Sequence, residues 1–318
     1  MWSPPDRTSG ERGAQGGPSR TLPAARFGTY LSDRGKSRAV GLLFRFASQW
    51  VAGETMEEGL ARAEEANRRG LGAILNLLGE HHTDPGAIDA AVREYIALLD
   101  VIDAQKLDAS LSIKPTQCGL LLGEEAYWRS VRTILDRVRA IGGFLWMDME
   151  GSRFTNGTLA VYRRALAEYP NVGVAVQANL RRTEKDVESL LEAGGIVRLV
   201  KGAYREAPPA GTATRKETDA NYRRLLDLLF ERGNRFAVGT HDSAMIEYAI
   251  QKNRARPRKF EFQMLLGVRD PLKLDLVRQG YRVVEFIPYG PNWLPYFTRR
   301  LRERPRNILT MVRSFVSG

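Results

Sequence analysis

The chain has 318 residues, 43% of them hydrophobic, enough to build a sizeable core in one large domain or two ordinary ones. Lys and Arg outnumber Asp and Glu by 48 to 37, a formal charge of +11 that suits a phosphorylated cofactor, a carboxylate, an acidic membrane surface or nucleic acid. A single cysteine, Cys118, and three histidines exclude an intrachain disulfide, a cysteine zinc site and a cysteine-bound iron–sulfur cluster, and leave no metal centre to expect.

Residues 1–26 are rich in Gly, Pro, Ser and Arg and read as a disordered tail without the apolar core of a secretory signal. No apolar run is long enough to span a bilayer. Residues 38–51 and 55–69 read as two helices within an N-terminal segment, 27–70. Eight short apolar runs follow, at 73–79, 109–114, 144–150, 172–178, 197–203, 235–241, 260–265 and 281–288. Most are continuously apolar, as strands buried on both faces of a parallel sheet are. Helical patterns lie between them, at 86–103, 124–141, 158–168, 183–193, 216–232 and 243–252. Successive strands start about 21 to 38 residues apart, the length of a strand–helix unit. Eight such units predict a (β/α)8 TIM-type barrel over 71–318, with the extra N-terminal helices capping its bottom or flanking its side. An open doubly wound sheet is the alternative, weakened because no GxGxxG follows the first strand.

Barrels of this kind carry their active sites at the C-terminal ends of the strands. Strand one ends at Glu80 and strand two at Lys114; strand three carries Asp148 and Glu150, and strand four ends near Gln177. Strand five carries Arg198 and ends at Lys201 and Tyr204, strand six ends at Thr240, His241 and Asp242, and strand seven contains Gln263 and Leu265. The eighth runs into Tyr289-Gly290, and the helix after it places Tyr296, Arg299 and Arg300 on one face. Two adjacent guanidinium groups repel unless an anion sits between them, and guanidinium forks suit a small carboxylate. Lys114 follows LSI and Asp148 follows FLWM, so both charges are partly desolvated and need partners.

The constellation leans cationic and shows no nucleophile paired with a base. Cys118 has no assigned histidine partner, and His241, in GTHDS, reads equally as a general base or a cofactor contact. This pattern points to a bound organic cofactor that carries the hard chemistry. In a competing enzyme reading, Lys201 forms a Schiff base with Asp148 and Glu150 as acid and base. In a non-enzymatic reading, the basic stretches 253–259 and 299–306 bind nucleic acid or an acidic membrane, but the aromatic interleaving of a nucleic-acid platform is thin and no nucleic-acid partner is expected. Residues 306–316 read as a basic amphipathic helix that covers the barrel or touches a membrane.

The motifs LLGE (77–80), SIKPTQ (112–117), MDME (147–150), VQAN (176–179), VRLVKGAY (197–204), GTHD (239–242), FEFQML (260–265), PYG (288–290) and YFTRRLRERP (296–305), in this order, resemble the short monofunctional bacterial proline dehydrogenases. The resemblance runs from about residue 40 to 318. It implies a barrel that holds FAD noncovalently at its C-terminal face and oxidises L-proline to Δ1-pyrroline-5-carboxylate, with a membrane quinone as acceptor. It also implies a cytoplasmic protein in peripheral contact with the inner face of the plasma membrane. By position, Lys114, Arg299 and Arg300 would hold the proline carboxylate, and Tyr204, Leu265 and Tyr296 would wall the ring. Asp148 would fix Lys114, Glu80 would pair with Arg299 as a gate, and Gln263 would support the ring pocket. Gln177, Arg198, Lys201, Gly202, Ala203, Thr240 and His241 would contact FAD, with Glu303 close by. Phe286 stands where certain relatives have a tyrosine, and Arg205 where some have a tryptophan.

Overall fold

The computed structural model describes residues 47–204, 206–212 and 214–303. The N-terminal tail, Arg205 and the expected helix over 306–316 lie outside the described residues, as does the side chain of Glu303. Of the helix expected over 38–51 only the last turn is described, where Val51 N donates to the Ala47 carbonyl at 2.9 Å.

Eight parallel strands close into a barrel in sequence order. They are β1 (Gly72–Leu77), β2 (Ala109–Ile113), β3 (Leu145–Met147), β4 (Val172–Gln177), β5 (Ile196–Val200), β6 (Arg235–Gly239), β7 (Lys259–Leu265) and β8 (Arg282–Tyr289). The helices are α1 (Met56–Arg68), α2 (Pro85–Gln105), α3 (Glu124–Ala140), α4 (Thr155–Glu168), α5 (Thr183–Glu192), α6 (Arg215–Arg232), α7 (Ser243–Ala255), α8 (Asp270–Arg278) and α9 (Trp293–Glu303). The (β/α)8 class expected from the apolar runs is the one observed.

Local chemistry sets the element ends. A capping box between Thr55 and Glu58 opens α1, and Asp84 caps α2 ahead of Pro85. Asp242 caps α7 through Ala244 N at 2.9 Å. Pro115 cannot donate to a ladder, so β2 stops and Lys114 is left at the rim. On α3 the buried residues Tyr127, Val131, Ile134, Leu135 and Val138 recur at helical spacing and form the stripe that packs on the barrel. Burying each such aliphatic side chain contributes roughly 1.5–3 kcal/mol.

The barrel is filled from inside by Ile74, Trp146, Ile196, Ala237 and Val284, with Phe144 and Phe286 beside them. Leu75, Leu111, Val174, Leu199, Val238 and Phe262 point outward into the helix layer. A second apolar cluster sits at the C-terminal rim, where Ala47, Trp50 and Val51 pack with Leu78, Val268, Trp293, Tyr296 and Phe297. It seats α9 beside the strand ends, with Trp293 Nε1 donating to Glu54 at 2.7 Å. Residues 47–51 thus lie at the rim that carries the site, while α1 runs along the wall with Gly59 against the Tyr289 ring.

Two details differ from the sequence expectation. The run 144–150 contains a strand of only three residues, and Asp148 lies just past it, with its N–H bonded to the Ile113 carbonyl at 2.9 Å. The helix α8, which apolar periodicity does not reveal, turns Lys273 toward the barrel wall, where it is fully buried against Glu285 of β8. A charged residue interrupts the stripe that would have marked the helix.

Candidate active site

Strand five and the ends of strands two and three send charged side chains into the upper barrel, and strand seven adds the amide of Gln263. Asp148 is 8% exposed and is the hub. Its Oδ1 accepts from Ser112 Oγ at 2.7 Å and from Arg198 Nη2, and its Oδ2 accepts from Lys114 Nζ at 3.1 Å. Arg198 also donates to Ser112 Oγ at 3.0 Å and to Gln263 Oε1 at 3.3 Å. Its guanidinium lies 5.0 Å from the Trp146 ring centre and 5.7 Å from that of Phe286. Burial pulls the Asp148 carboxyl up, yet Lys114 and Arg198 outweigh it and hold the group below the usual carboxylate range.

Glu80 forms the second node. Arg299 grips it with two bonds, at 2.8 and 3.1 Å, and Lys114 Nζ lies 3.7 Å from its Oε1. Tyr204 donates its hydroxyl to the same oxygen at 3.3 Å. Burial opposes ionisation of Glu80, but Lys114 and Arg299 keep it below its ordinary value. Burial pushes the Tyr204 phenol up to about 12, with Lys114 pulling the other way, so it stays neutral. Beside this node a cleft of about 260 Å³ is lined by Leu78, Glu80, His81, Asn292, Tyr296 and Arg299, among others. The Arg300 guanidinium sits 5.4 Å from the Tyr296 ring centre.

Glu150 is held apart from these nodes. Thr116 donates to it through both N and Oγ1 at 2.7 Å, and burial raises its pKa against the pull of Lys114. Gln177 reaches the Glu150 carbonyl at 2.9 Å. Lys201 donates to Asp242 at 2.6 Å and to Asp219 of α6, so it is not offered to a carbonyl as a Schiff-base nucleophile. His241 Nε2 accepts the Leu265 N–H at 2.9 Å and is therefore not available as a general base. Arg258, in the basic stretch 253–259, donates to the carbonyls of Phe230 and Glu231 at 2.8 Å, pinning the chain between α7 and β7.

The ends of β4, β5 and β6 form a separate cradle. Gly202 has φ +113, and a Cβ there would lie 2.1 Å from Asn179 Oδ1. Asn179 Nδ2 holds the Tyr204 carbonyl at 3.0 Å, while its buried Oδ1 has no hydrogen-bond partner among the described residues. Gln177 ends β4, and Lys201 and Thr240 directly follow β5 and β6, so the three stand on neighbouring strand ends, with Arg198 lower on β5. Close backbone approach, an orphaned acceptor for a ligand hydroxyl or N–H, and the nearby cation Lys201 fit a polar, phosphate-bearing flavin.

The structure thus gathers Glu80, Lys114, Asp148, Arg198, Tyr204, Leu265, Tyr296, Arg299 and Arg300 at one rim. Sequence reasoning missed Ser112, Thr116, Asp219 and Glu261. Ser112 carried a signal, since it stands two before Lys114 on the same strand face; Asp219 carried none.

Residues 59–311 match the proline dehydrogenase family. Proline dehydrogenase 1 of Bacillus subtilis subsp. natto is 34% identical over 264 residues, 82% of this chain and 87% of that protein. Proline dehydrogenase of Deinococcus radiodurans is 32% identical over 284 residues, covering 87% and 92%. Among solved structures, proline utilization A from Bdellovibrio bacteriovorus inactivated by N-propargylglycine shares the fold with a TM-score of 0.76 at 24% identity. That match covers 84% of this chain, which spans about a third (33%) of the longer protein.

Proposed function

The chain belongs to the proline dehydrogenase family, and from that premise we propose that it oxidises L-proline to Δ1-pyrroline-5-carboxylate with noncovalently bound FAD and a membrane quinone as final acceptor. The observation that carries the substrate assignment is the cationic cage. Lys114 and Arg299 share Glu80, and Arg300 stands on the same helix face beside the Tyr296 ring. A carboxylate bound at this rim would meet Arg299, which lines the cleft, with Lys114 and Arg300 beside it, and a five-membered ring behind it would meet Tyr204, Leu265 and Tyr296. The Glu80–Arg299 pair closes over bound substrate.

Gln177, Arg198, Lys201, Gly202, Ala203, Thr240 and His241 would hold the flavin, which when bound accepts a hydride at N5. Fixing the carboxylate at three points orients the ring carbon next to nitrogen, which is catalysis by positioning. As the hydride leaves that carbon, the nitrogen lone pair forms the C=N bond and the amine proton passes to solvent. Asp148 holds Lys114 in place, and the neutral Tyr204 takes no proton. Arg198 supplies positive charge beside the cradle, which favours the reduced, anionic form of the cofactor.

The test is the visible absorption spectrum of the purified protein, taken anaerobically. A flavin spectrum bleached by L-proline and unchanged by D-proline supports the cofactor and substrate assignments, and reoxidation of the bleached flavin by a soluble quinone supports the acceptor. A flavin that L-proline leaves oxidised removes the substrate assignment. A colourless chain that takes up no FAD removes the cofactor assignment.

A further inference from the structure

Glu261 lies on β7 two residues before Gln263, so both side chains enter the barrel. It is 6% exposed and belongs to neither the carboxylate cage nor the cofactor cradle. Its Oε1 accepts from Gln263 Nε2 at 2.7 Å, and its Oε2 accepts from Arg282 Nε at 3.3 Å. Arg282 is itself gripped by Asp108 through two bonds of 2.9 and 2.7 Å at the base of the barrel. Above it, Gln263 turns its carbonyl oxygen to Arg198 at 3.3 Å.

An amide has a donor end and an acceptor end, whereas a carboxylate only accepts. Glu261 therefore fixes which way Gln263 points. The reversed amide would set its NH2 against the Arg198 guanidinium and its carbonyl against the Glu261 carboxylate, two repulsive contacts in a buried site. Arg198 is then clamped by acceptors from three places: Ser112 on β2, Asp148 after β3 and Gln263 on β7. Three acceptors on separate strands define the plane of a guanidinium.

We propose that Glu261 is a positioning residue that acts through Gln263 to hold Arg198 in a fixed plane beside the cofactor cradle. The importance of that plane rests on the flavin reading above. A competing, purely ionic role would have Glu261 balance the charge of Arg198 and Arg282 without orienting anything.

Two conservative variants separate the roles. Glu261→Gln deletes the charge and, with its one amide oxygen turned to Gln263 Nε2, keeps that acceptor at the expense of the longer contact to Arg282, which Asp108 still holds. Glu261→Asp keeps the charge and withdraws the acceptor by one methylene, about 1.5 Å, beyond hydrogen-bond distance. The first readout is the midpoint potential of the flavin in the full-length holoprotein. Glu261→Asp is expected to shift it to more negative values and to lower kcat about tenfold with KM for proline nearly unchanged. Glu261→Gln is expected to stay at the wild-type potential or move slightly positive. The second readout is the Arg198 guanidinium signal of the full chain labelled with 15N-arginine, assigned by its loss in Arg198→Lys. It is expected to be protected in wild type and Glu261→Gln, and broadened by exchange in Glu261→Asp.

A Glu261→Asp protein indistinguishable from wild type overturns the proposal, as does a larger effect of Glu261→Gln on both readouts, the mark of charge balance. The guanidinium signal needs no flavin. A chain that takes up no FAD would overturn the proposed function, while the signal would still decide the role of Glu261.

Discussion

Asp148→Asn removes the one anion shared by two buried cations. Lys114 and Arg198 have side chains only 11% and 5% exposed, and both bond to the Asp148 carboxylate. With an amide there, Lys114 keeps Glu80 at 3.7 Å, while Arg198 keeps Ser112 and Gln263, which are neutral. Deleting one partner of a buried pair costs about 3–5 kcal/mol, because the charge left behind is uncompensated. For a barrel of this size each kcal/mol is about 2 °C of Tm, so the expected fall is about 6–10 °C. The Asp148 carboxyl is depressed in the folded protein, so its stabilisation is complete above the unfolded value and disappears as pH falls through the folded one. The gap between wild type and variant should be constant from pH 8 to about pH 5 and should close only below about pH 4. Thermal melts followed by circular dichroism across that range read both quantities. A fall under about 2 °C at pH 7, or a gap that widens toward acid, would refute the hub role.

Arg300→Met should weaken proline binding about 10- to 100-fold, the scale of a lost charge-assisted bond, while leaving flavin content intact; an unchanged proline affinity in a titration of flavin bleaching would sink the carboxylate assignment. Cys118 is fully buried, and burial pushes its thiol well above the ordinary range, so the native protein should resist an aromatic disulfide reagent at pH 8 and react fully in denaturant. Rapid labelling of the native chain would contradict that placement. Tyr204, held near 12, should stay protonated through pH 10, so Tyr204→Phe should keep any alkaline limb seen below that pH in the kcat/KM profile. A limb that vanishes in the variant would assign it to Tyr204 and overturn the expectation.

The fold was legible because the strands of a closed parallel barrel are buried on both faces and so read as apolar runs. Ends were less legible where the chain serves the site. MDME continues an apolar pattern, yet β3 stops at Met147 so that Asp148 can turn to Arg198 and Lys114. The helix α8 was hidden for a different reason. Its inward face carries Lys273, neutralised by Asp270 one turn earlier and by Glu285 on the strand that follows and packs against it. Hydropathy along the chain sees the charge and not its partner.

The same asymmetry governs the site. Lys114 and Asp148 each follow an apolar run, and that alone marks their charges as desolvated. That Asp148 also serves Arg198, and Glu80 also serves Arg299, depends on barrel closure, which brings together residues 50 and 219 positions apart. The sharing has a chemical consequence. Lys114 draws on both Glu80 and Asp148, Arg198 on Asp148 and Arg299 on Glu80, so three cations divide two carboxylates. Arg300 follows Arg299 on α9, with its guanidinium beside the Tyr296 ring. Under the proposed reading, the substrate carboxylate joins cations that already share their carboxylates. Glu261 lies outside that sum, two residues below Gln263 on β7, where its charge answers Arg282 at the base of the barrel and its geometry answers Arg198.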